Sequence, residues 1–126
     1  MCIDNPVPFH SDKPIIAYKV MYCNGEDNIR SMLAGNKYKL GSTHYASIPE
    51  YQFNISNSSH YDVGFHAYEK LEDAQRIMFG HSSRGYARIV EVELSEITHK
   101  GTQRAINDER VWTYVAKQCK FIRIVE

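Results

Sequence analysis

The sequence predicts a single α+β domain, a mainly antiparallel sheet of about six strands with one principal helix at about residues 71–79. Three features predict this class. Apolar side chains alternate along Ile15–Tyr22, a helical period begins at Leu71, and β-branched and aromatic residues are concentrated between positions 111 and 125. Residues 1–14, which contain three of the four prolines, are predicted to be an extended arm, and residues 15–126 the domain.

The first predicted strand, Ile15–Tyr22, ends at an Asn24-Gly25 pair, the commonest short signal for a hairpin. A return strand is therefore expected at residues 29–33. Short strands are expected around positions 38–40 and 44–48. Residues 50–60 are rich in Asn and Ser without a helical period, which predicts an exposed loop or edge strand.

Residues 61–94 contain a strand, a helix and a second strand in succession. The run Gly64–Tyr68 is aromatic-rich and reads as a strand, with Phe65 facing away from His66 and Tyr68. The helix follows from a 3.6-residue period of apolar positions, with Gly80 as its end and Glu72–Arg76 as an i,i+4 ion pair. The second strand is predicted at residues 86–94.

The remaining chain is expected to form a polar connection over residues 95–108, with a turn at Gly101, and then two more strands. These are residues 111–116 and 119–125, joined as a hairpin through Lys117-Gln118.

Composition narrows the function classes. Fifteen Lys and Arg balance fifteen Asp and Glu, so no global basic field directs the chain to nucleic acid or a membrane surface. Three cysteines without framework spacing, and no long apolar run, indicate a reduced protein of the cytoplasm. Neither a metal site nor a bound cofactor is predicted, because the histidines lie in separate segments without ligand spacing.

The aromatic residues give the clearest indication of a ligand. Tyrosines recur through the first 68 residues and alternate with lysines and arginines, a mixture that can hold a phosphate and stack on a base, or anchor a protein contact. Buried packing explains part of the set equally well. The predicted ligand-binding residues are Lys19, Arg30, Tyr38, Tyr45, His66, Tyr68 and Arg84, and no catalytic residue is assigned.

A series of short motifs resembles a family of small, uncharacterised bacteriophage accessory proteins. The motifs are Met1-Cys2, YKV at 18–20, RS at 30–31, Y-x-L-G at 38–41, and GFHAY at 64–68 followed by LEDA at 71–74. The resemblance implies a counter-defence protein, a class that includes anti-CRISPR proteins and proteins that sequester immune signalling nucleotides. It would act in the cytoplasm of the bacterial host.

The layout from Gly64 to Leu94 is also similar to that of ADP-ribosyltransferases, which implies an alternative: an NAD-using enzyme, active or degenerate. That family places an Arg or His on its first strand, where this chain has Lys19, and a late glutamate for which Glu109 is one candidate. The leading expectation is a non-enzymatic inhibitor whose partner is a host defence protein or a small nucleotide signal. Homo-oligomerisation stays open.

Overall fold

The computed structural model describes residues 3–25, 28–31, 37–46, 53–55, 59–61, 64–79, 87–105 and 109–126. Within these ranges it contains ten strands and one helix. They are β1 (Asp4–Pro8), β2 (Ile15–Cys23), β3 (Ile29–Ser31), β4 (Lys37–Tyr38), β5 (Thr43–Tyr45), β6 (Phe53–Ile55), β7 (Ser59–Tyr61), β8 (Phe65–Tyr68), α1 (Leu71–Phe79), β9 (Ala87–Arg104) and β10 (Arg110–Ile124).

Eight strands form one antiparallel sheet in the order β1-β9-β10-β8-β2-β3-β4, with β5 paired to the far part of β10. A separate two-stranded ribbon joins β6 and β7. Strand β9 also pairs with β2, from Ile15 opposite Leu94 to Tyr22 opposite Ala87. Because β8 pairs with both β10 and β2, the strands β2, β9, β10 and β8 close into a ring.

The predicted α+β class is wrong, because the described chain is nearly all sheet with one short helix of nine residues. The helix itself is found at the predicted position. The prediction overstated the share of helix because it did not recognise two strand segments, one before the helix and one after it. Asp4–Pro8, inside the segment predicted as an arm, is strand β1 on the edge of β9.

Residues 95–104, predicted as a polar connection, are the second half of the 18-residue strand β9. Gly101 is not a turn residue. It is buried beneath β1, where a Cβ would lie 2.8 Å from the Asp4 carbonyl oxygen and 2.8 Å from Ile3 Cδ1. Glu96, with φ of 53°, marks an irregular point in β9, and the register with β10 shifts nearby, between Val115 and Ala116.

The two strands predicted at 111–116 and 119–125 are one continuous strand, β10. The Lys117-Gln118 link does not turn the chain, because Gln118 pairs with Ser95 of β9 on one side and with Tyr45 of β5 on the other. Two neighbouring strands thus keep this polar dipeptide extended.

Apolar side chains pack on both faces of β2 and β9. The first core contains Ala17, Met21, Val92, Leu94 and Phe121 from the ring strands. The second core lies under the helix. It joins Ala74 and Ile77 of α1 to Val20, Tyr68, Ala87, Ile89 and Val111 of the sheet.

Helix α1 is anchored at its exposed side by Arg76. The predicted partner was Glu72, but the Arg76 guanidinium instead contacts Glu109 Oε2 at 2.8 Å and Asp73 Oδ1 at 3.6 Å. Glu109 approaches from the start of the β10 segment and meets Arg76 at a better distance than its helix neighbour.

In the described part of the chain no helix is long and apolar enough to cross a bilayer.

Candidate functional site

At the first core, the side chains of two predicted site residues, Lys19 and Tyr38, lie near the backbone of a third, His66. Lys19 lies on the same face of β2 as Ala17 and Met21, and its Nζ donates a hydrogen bond to the His66 carbonyl oxygen at 2.6 Å. The same Nζ is 5.9 Å from the centre of the Phe65 ring. Tyr38 closes the cluster, stacked on Phe121 at a centroid distance of 4.6 Å.

The pKa shifts in this cluster favour a structural role for its residues over a catalytic one. Burial lowers the pKa of the Lys19 amine, and burial together with the Lys19 charge lowers the pKa of His66 to about 3. Burial also raises the pKa of the neighbouring Cys119 thiol to about 12. At neutral pH His66 is therefore a weak base and Cys119 a protonated thiol, neither of which suits nucleophilic or general-base work.

The other predicted site residues are dispersed. Tyr68 is buried in the second core, where burial raises its pKa, and Tyr45 projects from β5 with 67% of its surface exposed. Arg30 is exposed on the short strand β3. Arg84 lies outside the described residues. The six that the structure describes do not form one site, and the role of all seven in binding stays a prediction.

Arg30 instead belongs to a small depression at the end of the β2–β3 pair, which we call the hairpin pocket. It has a volume of about 290 Å³ and is lined by Tyr22, Cys23, Asn24, Asn28 and Arg30. Arg30 Nε donates to Asn28 Oδ1 at 3.1 Å, which leaves its two Nη groups without a partner in the described part of the chain.

Strand register adds a second cation beside Arg30. Tyr22 of β2 pairs with Arg30 of β3, which pairs in turn with Lys37 of β4. Directly opposed residues of antiparallel strands share a face, so these side chains form a row of one aromatic ring and two cations. Among the described residues no carboxylate forms a salt bridge with Arg30 or Lys37.

A third cation lies near the thiol of the pocket. Burial raises the pKa of Cys23 to about 11, and the positive charge of Arg88, on the adjoining end of β9, opposes part of that rise. Cys23 is therefore protonated at neutral pH. Arg30 is the cation among the residues that line the pocket, beside two amides and one ring, and Lys37 lies next to it on β4. This is the chemistry of an anion-binding site rather than that of a nucleophile.

A second feature on the surface is the Lys100 cage, formed by Phe9, Lys100, Trp112 and Tyr114 with the carboxylate of Glu69. The Lys100 Nζ lies 5.0 to 5.4 Å from the three ring centres. It also contacts Glu69 Oε2 at 2.7 Å, and the same oxygen accepts a hydrogen bond from the Tyr114 hydroxyl. These contacts hold Trp112 in place although 47% of its surface is exposed.

Sequence reasoning named Arg30 but did not select its cross-strand neighbours Tyr22 and Lys37. The Asn24-Gly25 turn was the available signal, because a hairpin turn sets which residues of its two strands face each other. Applied further, it could have paired Tyr22 with Arg30. Nothing local indicates that Lys37 would join them, since that depends on strand β4.

No three His, Cys, Asp or Glu side chains gather as a metal site within the residues that the structure describes. No protein-family model matches the chain, and neither a curated protein nor a solved structure matches it.

Proposed function

We propose that this protein is a phage-type counter-defence binding protein that sequesters a small nucleotide signal in the hairpin pocket. The observation that carries the proposal is the row Tyr22–Arg30–Lys37, in which an aromatic ring adjoins two cations that no described carboxylate neutralises. A base can stack on the ring while the cations contact phosphate, and the amides of Asn24 and Asn28 offer donors and acceptors for a base edge.

The size of the pocket and its electrostatics support the same ligand class. A volume of about 290 Å³ lies near the lower end of small-molecule sites, which range from about 300 to 1,000 Å³. Arg30 is held by Asn28, so part of the cost of ordering this side chain is met before binding.

The test is a thermal-shift and calorimetry series with mononucleotides, cyclic nucleotides, NAD and ADP-ribose. A ligand of the native state raises stability by about 2.7 kcal/mol at a hundredfold excess over its dissociation constant. We expect Arg30→Gln and Tyr22→Ala to weaken binding at least tenfold. Lys19→Met, inside the first core, and Lys13→Gln, on the exposed segment after β1, serve as controls and should bind within twofold of the unchanged protein.

A host defence protein is the second candidate partner, favoured by the exposed Trp112 in the Lys100 cage. Tryptophan is the residue type most enriched among binding hot spots, and a ring held by Lys100 loses little freedom on docking. Plating of phage on bacteria that express each variant separates the two candidates. If Arg30→Gln no longer protects the phage from the bacterial defence and Trp112→Ala still does, nucleotide sequestration is supported. The reverse result supports a protein partner.

The ADP-ribosyltransferase alternative stays a prediction. Lys19, at the position of that family's first-strand cation, is hydrogen-bonded within the first core, and Glu109 is engaged by Arg76. Both arrangements favour the binder. Incubation with labelled NAD is the direct measurement, and covalent product that disappears with Glu109→Gln would replace the binding proposal by the enzymatic one.

A further inference from the structure

The like-charged pair Arg30 and Lys37 is an unusual cross-strand neighbourhood. The two residues stand directly opposite each other in the β3–β4 pair, where like charges are destabilising. A sheet that places two cations there, without a described carboxylate to neutralise either, is stabilised when an anion bridges them.

The geometry suits a single anion between the two side chains. Directly opposed residues have Cβ atoms about 4.5–5.5 Å apart, so an Arg and a Lys on the same face can converge on one group. Asn28 occupies Arg30 Nε, and the two Nη groups keep the donor fork that matches phosphate oxygens, while Lys37 adds a point charge.

We infer that Arg30 and Lys37 form a subsite for a terminal phosphate with two negative charges, so that the ligand is a linear mononucleotide rather than a cyclic nucleotide. A cyclic phosphodiester has one negative charge per phosphate. A second of its oxygens is esterified within the ring, so it has one terminal oxygen fewer than a phosphomonoester. A cyclic dinucleotide also needs room for two nucleosides, which a pocket of about 290 Å³ does not offer. This inference rests on the proposed function and assigns its ligand class.

The charge of the ligand makes the inference testable by pH. A phosphomonoester loses its second proton with a pKa of about 6, whereas a cyclic phosphodiester keeps one charge throughout the range from pH 5.0 to 7.5. Affinity for a linear nucleotide should therefore rise with pH across that range. Among the described residues, the charged and titratable side chains of this row are Tyr22, Arg30 and Lys37. The adjoining pocket also contains Cys23, whose thiol pKa burial raises to about 11. Arg88 lies opposite Met21, on the other face of the sheet.

The experiment is isothermal titration of the full chain with AMP, 3′,5′-cyclic AMP, cyclic di-AMP and inorganic phosphate at pH 7.5 and pH 5.0. We expect AMP to bind at least tenfold more tightly than cyclic AMP at pH 7.5, and the ratio to fall below threefold at pH 5.0. Lys37→Gln should remove most of the advantage of AMP while cyclic AMP affinity changes little. Lys13→Gln is the matched control for loss of one surface lysine and should behave as the unchanged protein.

Two results would overturn the inference in different ways. Equal binding of AMP and a cyclic nucleotide, without dependence on pH, contradicts the dianion subsite and leaves the proposed function standing. Failure of every nucleotide to bind a chain that unfolds cooperatively at both pH values removes the proposed function, and this inference with it.

Discussion

His66 is the residue whose surroundings most alter its chemistry. Its Nδ1 donates a hydrogen bond to the Gly64 carbonyl oxygen at 3.1 Å, and its own carbonyl oxygen accepts a hydrogen bond from Lys19 Nζ. Because the ring is desolvated and lies near the Lys19 amine, it cannot take up a proton without placing a second positive charge there. His66 is therefore best understood as a neutral side chain that helps to close the ring of strands.

This arrangement predicts that acid destabilises the fold through His66. The unfolded chain binds a proton at this residue below about pH 6.5, and the folded chain only near pH 3, so the contribution to stability is present above 6.5 and is lost as the pH falls. Between pH 6.5 and 5.0 the loss should reach up to about 2 kcal/mol, at about 1.4 kcal/mol per pH unit.

Urea unfolding of wild type, His66→Gln and the exposed control His10→Gln at the two pH values checks this. His66→Gln should lose most of the dependence, and His10→Gln should keep it. An unchanged slope in His66→Gln would mean that another group takes up the proton.

At the scale of elements, β9 carries the fold. Its first half pairs with β2, its second half with β1, and nearly its whole length with β10. Strand β1 packs against β9 at Gly101, where the absence of a side chain allows the Asp4 backbone and the buried Ile3 to approach closely. An ion pair between Arg110 and Asp4 ties the same edge to β10.

Gly101→Ala should therefore release β1. The added Cβ would overlap with backbone as well as with a side chain, and overpacking of this kind costs about 1–3 kcal/mol. Hydrogen exchange should show loss of protection at the amides of β1 with little change in β2. The neighbouring Thr102→Ala, which adds no atoms, is the control, and full protection of β1 in Gly101→Ala would contradict the close approach seen here.

At the scale of the whole molecule, the ring joins segments that are far apart in the chain. Ile15 pairs with Leu94 and Tyr18 with Tyr68, so neither pairing forms until long loops have closed. Net charge is formally zero, so the chain has no global field to attract an anion, and the proposed nucleotide would be attracted by local groups such as the Arg30–Lys37 pair.

Non-local pairing predicts slow refolding. Sheet proteins dominated by distant contacts fold in about milliseconds to seconds, because the entropy of loop closure is lost before the contacts form. Trp112, the only tryptophan, lies on β10 beside Lys100 and reports the transition in a stopped-flow experiment. Refolding complete within microseconds would show that local structure, such as the β9–β10 pair, dominates the barrier.

The sequence by itself determined the elements whose signals are local: strand β2, the Asn-Gly turn after it, and helix α1 with its apolar face. It also identified Lys19, Arg30 and His66 as unusual residues, since charge and alternation can be read within a few positions. Only the tertiary structure decided that residues 95–104 and the Lys117-Gln118 link are strand, because their polar side chains give no alternation and their extended form depends on neighbours on both edges. The same reason explains why Lys19 and Arg30 lie in different places, and why Arg30 lies beside Lys37. Alternation along a strand shows which face a residue occupies, but the neighbouring strand is decided by the closure of the sheet.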